Sequence, residues 1–182
     1  TEGKCRGTQI LSAKSPLGPF SPHSEGPVTP HVWECLDGTL YIDENSKPWM
    51  VFCHEWLQVD DGEICAVRLT KDLKKSVGEP LILFHASDAP WTHNIACHDT
   101  EGKKQYVTDG PFLFVSPKGR LNMLWSSFTK TGYAIGLVYS ATNKITGPWK
   151  HRIEPVYSRD GGHGMLFKSF EGQVKLAIHS PN

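Results

Sequence analysis

The 182-residue chain has no apolar run long enough to cross a bilayer, and residues 1–4 do not read as a signal peptide. It also lacks an excess of either charge, because 19 basic residues balance 19 acidic ones. A neutral chain gives no electrostatic reason to expect nucleic acid or an anionic membrane as a partner. A neutral partner such as a sugar or a peptide fits this composition better.

Cysteine is sparse and unpaired in the sequence. The five cysteines are an odd number, widely spaced and without a Cys-x-x-Cys pair, which argues against a disulfide scaffold or a zinc finger. They are Cys5, Cys35, Cys53, Cys65 and Cys97. We predict buried free thiols, although Cys53 and Cys65 fall on strands expected to be neighbours and leave one bridge open.

One hairpin pattern occurs three times. Each copy has a polar head, an apolar strand, a polar turn and a second apolar strand, and the copies span residues 37–52, 109–125 and 163–178. The heads are Asp37, Asp109 and His163. We predict that these three positions are equivalent and point at one shared site.

A second kind of segment follows the hairpins, in residues 7–20, 63–80 and 133–149. Each has a strand of small and branched residues and a polar turn, and each ends at a Gly-Pro or Gly-Glu-Pro exit. Together the two kinds make a repeat of short strands, which is typical of a β-propeller blade. The unequal spacing of the heads predicts an insertion in the first full blade, at residues 85–104, where no period-two pattern is present.

The strand count predicts an all-β propeller domain over residues 1–182. Residues 1–25 supply the second half of a blade, two full blades follow, and residues 163–182 supply the first half of another. Because propellers have about four to eight blades, we expect the chain to be incomplete, with the N-terminal blades and the end of the last blade outside it.

The heads of the inner strands carry the candidate chemistry. Inner strands of blades begin near the central channel, so Asp37, Asp109 and His163 are expected to converge there. Two carboxylates across a cleft are the minimum for glycoside hydrolysis. A histidine at the axis can orient water, bind a cation or, when charged, make a neighbouring carboxyl more acidic.

Three motifs carry a family resemblance. The sequence Leu-Asp-Gly-Thr-Leu-Tyr-Ile-Asp-Glu at residues 36–44, Gly-Gly-His-Gly-Met at 161–165 and the Gly-Pro-Trp exit at 147–149 resemble glycoside hydrolase family 43. The resemblance implies a five-bladed propeller arabinanase, arabinofuranosidase or xylosidase. It also implies a secreted or periplasmic enzyme that hydrolyses arabinose- or xylose-containing plant polysaccharides with inversion and requires no cofactor.

The resemblance assigns roles to individual residues. Asp37 takes the position that tunes the pKa of the acid, Asp109 the general acid position, and His163 that of an axial histidine beside a calcium or other cation and its waters. Two departures follow. The family usually has glutamate where Asp109 stands, which is one methylene longer, and its general base is an aspartate expected before residue 1.

Alternatives remain open for several residues. Asp109 could be a strand-start aspartate that bonds local amides, and His163 a structural histidine. Glu34 and Glu55 are the runner-up acids, although an exposed loop glutamate is the preferred interpretation of each. The tryptophans divide into possible sugar platforms at Trp33, Trp56 and Trp91, and packing residues at Trp49, Trp125 and Trp149.

The function also has a rival reading. A non-catalytic carbohydrate-binding propeller would keep the fold and lose the acid, and the aspartate at position 109 keeps this reading open. A protein-interaction propeller is a weaker reading, because such a ring needs no carboxylates at its axis.

Overall fold

The computed structural model describes residues 5–95 and 102–182, which form four antiparallel sheets in chain order. The first sheet pairs β1 (Gln9–Ser12) with β2 (Ser21–Pro27). The second contains β3 (Cys35–Ile42), β4 (Pro48–His54), β5 (Glu63–Leu69) and β6 (Ser76–His85). The third contains β7 (Asp109–Val115), β8 (Leu121–Thr129), β9 (Gly132–Ser140) and β10 (Trp149–His151), and the fourth pairs β11 (Gly162–Lys168) with β12 (Val174–His179).

Within each sheet every strand pairs with its neighbour in sequence, so each four-stranded sheet is a meander. The sheets meet through their first strands, since β3 contacts β7 and β7 contacts β11. The prediction of an all-β propeller, represented by a half blade, two full blades and a further half blade, is confirmed.

The turns that follow β3, β7 and β11 are closed in the same way. A side-chain oxygen at the start of the turn accepts the amide N–H of the residue four positions later, while the two backbones also pair. The pairs are Asp43 with Lys47 at 2.9 Å, Ser116 with Arg120 at 3.2 Å and Ser169 with Gln173 at 3.2 Å. The repeat seen in the sequence is therefore a repeat of hydrogen bonds as well.

A β-bulge interrupts β3, β7 and β11 near their starts, and its position shows how the three heads align. The register shifts lie after Leu36, Asp109 and Gly162. The first bulged residues are Asp37, Gly110 and His163, with φ of 54°, 51° and 52°. The prediction that Asp109 is equivalent to Asp37 is therefore wrong by one residue, because the residue that matches Asp37 in β7 is Gly110.

The core lies between the four-stranded sheets and includes three tryptophans predicted to pack there. Trp49, Trp125 and Trp149 are 8%, 0% and 9% exposed, so this prediction is confirmed. A second cluster covers the opposite face of the first blade, on the side of β1 and β2.

The cysteines confirm the prediction of free thiols where they are described. Cys53 belongs to the core between the blades and Cys65 to the second cluster, so they face opposite sides of one sheet. Cys5, Cys35, Cys53 and Cys65 are all free, and Cys97 lies outside the described residues.

The predicted insertion at residues 85–104 connects β6 to β7, so it lies between the two full blades rather than inside the first. It begins with a single 3-10 turn, Ala86–Asp88, and residues 96–101 lie outside the described part. The described helix α1 (Trp56–Val59) has four residues, and no helix within residues 5–95 and 102–182 is long and apolar enough to cross a membrane.

Candidate active site

Asp37 and His163 meet at the bulges of neighbouring sheets. The Oδ2 atom of Asp37 accepts the backbone N–H of Gly110 at 3.0 Å and lies 3.8 Å from Nδ1 of His163. A Cβ atom on Gly110 would lie 2.8 Å from the His163 ring, so only glycine lets that ring rest on the β7 backbone. The backbone N–H of His163 donates to Oγ of Ser126 at 2.9 Å. Three sheets are thus joined at one point.

Asp109 lies beside this point, at the first residue of β7. Its Oδ2 atom accepts the hydroxyl of Tyr133 at 2.7 Å. Burial raises the pKa of Asp109 to about 7; the Tyr133 hydrogen bond opposes the rise, and the charges of Asp37 and Glu55 add to it. Much of Asp109 therefore carries its proton at neutral pH, as a general acid must.

Glu55, one of the runner-up acids, is a buried member of this group. Its side chain is 7% exposed, and its Oε2 atom lies 3.2 Å from Nη2 of Arg6. Burial raises the pKa of Glu55, the Arg6 charge opposes this, and the Asp37 charge adds to it. The expectation of an exposed loop glutamate is wrong for Glu55, because the chain folds it under Arg6, where its charge interacts with Asp37 and Asp109.

Glu34, the other runner-up, is held differently. It accepts hydrogen bonds from the Arg6 side chain at 2.9 Å and the Arg6 backbone N–H at 3.0 Å, and these bonds lower the pKa of Glu34. A carboxyl kept ionised by an arginine is poorly suited to donate a proton. Arg6 favours the charged form of both glutamates, and burial raises the pKa of Glu55 against it.

A polar row joins the first full blade, with His54 and Glu63 buried and His85 44% exposed. His54 Nδ1 lies 2.8 Å from Glu63 Oε2, and His85 Nε2 lies 3.3 Å from Glu63 Oε1. Trp33 stacks on His54 with ring centroids 4.2 Å apart and planes 6° apart. One face of Trp33 is thus occupied by His54.

The three tryptophans predicted to bind sugar have different surroundings. Trp33 and Trp56 are partly exposed, and their stacking on a sugar stays a prediction. Trp91 does not fit that role: it is 9% exposed, belongs to the core and packs on Trp125 with centroids 5.0 Å apart. A Cβ atom on Gly136 would collide with its ring. Trp91 fills the space between blades because the chain after β6 folds inward.

The donors around His163 do not form a metal centre on their own. Within the described part of the chain, no three His, Cys, Asp or Glu side chains are grouped to hold a metal ion. His163 has one carboxylate neighbour, Asp37, and its side chain is 47% exposed. A cation there would need ligands from water or from other residues.

Sequence reasoning missed Tyr133, Ser126 and Arg6. Tyr133 lies 24 positions from Asp109 and reaches it across β8 of the same sheet, whereas Arg6 lies 49 positions from Glu55 and comes from before β1. Across β8, Asp109 lies in register with Ser126 and Ile135, and Tyr133 lies two residues before Ile135 on β9.

Comparison with known proteins identifies the family of this chain. The family model described as Glycosyl hydrolases family 43 matches residues 1–181. An endo-arabinase from Bacteroides thetaiotaomicron is 48% identical, with a TM-score of 0.92 over 100% of this chain and 64% of that one. Comparison with curated protein sequences gives no match.

More distant structures share the fold. An endo-1,4-beta-xylanase from Bacteroides thetaiotaomicron is 23% identical, with a TM-score of 0.70 over 93% of this chain and 56% of that one. An alpha-L-arabinofuranosidase from Lactobacillus brevis is 18% identical, with a TM-score of 0.68 over 93% of this chain and 53% of that one. The chain thus spans 64% or less of the length of these three proteins. It belongs to glycosyl hydrolase family 43.

Proposed function

We propose that the full-length protein hydrolyses arabinose- or xylose-containing plant polysaccharides with inversion, and that Asp109 is its general acid. The observation that carries this proposal is the buried Asp109 carboxyl with a pKa raised to about 7 beside the Asp37 carboxylate. A protonated carboxyl at neutral pH is what leaving-group protonation requires. The similarity to an endo-arabinase makes arabinan the first substrate to test.

In the proposed reaction, Asp109 gives its proton to the glycosidic oxygen as the bond to the anomeric carbon breaks. Asp37 acts through its charge, which helps keep Asp109 protonated. Asp37 is a poor candidate for the base because its Oδ2 already accepts the Gly110 N–H. By the family resemblance, a carboxylate on a further blade takes the proton of the attacking water on the opposite face of the sugar.

The proposal includes a secreted or periplasmic location, because plant polysaccharides are polymers met outside the cytoplasm. It requires no organic cofactor. Fractionation of cells that express the full-length protein, followed by immunoblotting, tests the location: recovery only from the cytoplasm would contradict it.

The test of the activity uses Asp37→Asn and Asp109→Asn in the full-length protein, assayed on arabinan, aryl arabinosides and aryl xylosides. We expect Asp109→Asn to lower turnover about a hundredfold or more. Asp72→Asn is the matched control, because Asp72 lies in the exposed turn between β5 and β6 and undergoes the same chemical change. Wild-type turnover in both Asp37→Asn and Asp109→Asn would refute the assignment.

A second candidate is a carbohydrate-binding propeller without catalysis. It is favoured by one observation, the aspartate at position 109 in place of the longer glutamate that the family usually carries. Binding of arabino-oligosaccharides by the full-length protein, with no reducing ends released, would select this function.

A further inference from the structure

We propose that Tyr133 is a positioning residue for the general acid: its hydroxyl occupies Oδ2 of Asp109 and leaves the transferable proton on Oδ1. This inference rests on the proposed function. It adds a residue outside the three hairpin heads and assigns the transferable proton to one of the two carboxyl oxygens.

The contact between the two side chains is short and shielded. The Tyr133 hydroxyl donates to Asp109 Oδ2 at 2.7 Å, and Tyr133 is 2% exposed. Burial and the neighbouring Asp109 charge raise the pKa of Tyr133, so the phenol keeps its proton and remains a donor. Oδ2 of Asp109 accepts the hydrogen bond from the Tyr133 hydroxyl. The proton of the neutral Asp109 carboxyl therefore belongs on Oδ1.

The Tyr133 ring is fixed on several sides, which fixes the hydroxyl. It stacks on His179 with centroids 5.5 Å apart and planes 9° apart, and it packs on Phe128 at 5.0 Å. Its backbone N–H donates to Oδ1 of Asp160 at 3.3 Å. A Cβ atom on Gly162 would collide with the ring, so β11 lies directly against it.

The hydrogen bond from Tyr133 matters because Asp109 has a short side chain. An aspartate reaches one methylene less far than a glutamate, so a small rotation of its carboxyl moves the proton away from the scissile oxygen. Locking Oδ2 removes that rotation.

Other ionisable groups also face Asp109 and affect its pKa. Asp37 on β3 interacts with it through its charge and through a side-chain hydrogen bond, and both raise the pKa of Asp109. Glu55 after β4 and the Cys53 thiol on β4 interact with it electrostatically. His163 on β11 faces Asp37, and His179 on β12 covers the far side of Tyr133. Asp37 and Glu55 favour the neutral acid, whereas the Tyr133 hydrogen bond favours the carboxylate. Loss of that bond should therefore raise the pKa of Asp109.

The experiment compares Tyr133→Phe with Tyr139→Phe in the full-length protein on arabinan. Phenylalanine keeps the stacked ring and removes only the hydroxyl. Tyr139 is the matched control, because it lies six residues further along β9 and its ring faces Arg120 at 4.7 Å. We expect Tyr133→Phe to lower kcat about tenfold with KM within about twofold, and to move the alkaline limb of the pH profile upward by about one unit. Tyr139→Phe should change neither.

The Asp109→Asn variant separates failure of this inference from failure of the proposed function. If Asp109→Asn retains wild-type turnover, the proposed function fails. If Asp109→Asn is inactive while Tyr133→Phe keeps the wild-type kcat, or loses activity with an unmoved alkaline limb, Tyr133 is only structural and the inference is overturned.

A second variant covers the case in which Tyr133→Phe does not fold. Site-specific Tyr133→3-fluorotyrosine keeps the ring and hydroxyl and makes the hydroxyl a stronger donor. The alkaline limb should then move downward, and an unchanged limb would overturn the inference.

Discussion

Replacing Asp109 by asparagine should raise the free energy of unfolding relative to wild type, and the gain should be larger at pH 8 than at pH 4. In the folded chain the pKa of Asp109 is raised from its ordinary value of 3.8 to about 7. Between these two values the folded state holds a proton that the unfolded state has released. The wild-type protein therefore loses stability as pH rises through this window and keeps the full loss above pH 7.

The size of this loss follows from the shift. A difference of about three pKa units corresponds to about 4 kcal/mol, which is an upper bound because the unfolded chain and solvent relaxation reduce it. Asparagine has no charge to bury and offers its amide oxygen to the Tyr133 hydroxyl. Between pH 4 and pH 8, we expect the free energy of unfolding of Asp109→Asn to rise by about 1–4 kcal/mol relative to that of wild type.

The assay is urea denaturation of the full-length wild type and variant at unit steps from pH 4 to pH 8. Asp72→Asn, at an exposed turn, serves as the control and should show no comparable trend. If the difference in unfolding free energy between Asp109→Asn and wild type is the same at pH 4 and pH 8, Asp109 is not a buried carboxyl with a raised pKa.

Two further predictions test the surroundings of the site. Arg6→Met should destabilise the protein by about 1–2 kcal/mol at pH 7, because it removes the half-exposed cation beside the buried Glu55 carboxylate. Thermal unfolding should show a smaller loss at pH 4, because burial raises the pKa of Glu55 and favours its neutral form. Trp91→Ala should destabilise the fold by about 3–5 kcal/mol through the cavity it leaves in the core, while KM for arabinan stays unchanged. A raised KM with little loss of stability would restore the sugar-binding role of Trp91.

The blade pattern was predictable because it depends on local signals. Alternating apolar residues set the strands, and Gly, Pro and Asp mark the turns, as in the repeated closure by Asp43 and Ser116. The same signals predicted two full blades flanked by half blades.

The bulge register was not predictable from the same pattern. Asp-Gly occurs at residues 37–38 and again at 109–110, and both residue types tolerate a positive φ. The structure places the bulge at Asp37 in one strand and at Gly110 in the other. This single-residue difference turns Asp109 toward Tyr133, and only the hydrogen-bond register between β7 and β8 reveals it.

The environment of the carboxyls depends on contacts between distant parts of the chain. Glu55 reads as a loop residue in sequence, yet Arg6 covers it from before β1. Sequence position says nothing about such burial, and the pKa values that define the acid follow from it.

The central claim, that Asp109 protonates the leaving group, is tested most directly by the dependence of Asp109→Ala on the leaving group. The full-length protein would be assayed on aryl arabinosides or aryl arabino-oligosaccharides with 2,4-dinitrophenol or phenol as the leaving group. A good leaving group needs no proton, so Asp109→Ala should retain most of its kcat/KM on the dinitrophenyl substrate and lose about a hundredfold or more on the phenyl substrate. Equal losses on both substrates would contradict the account.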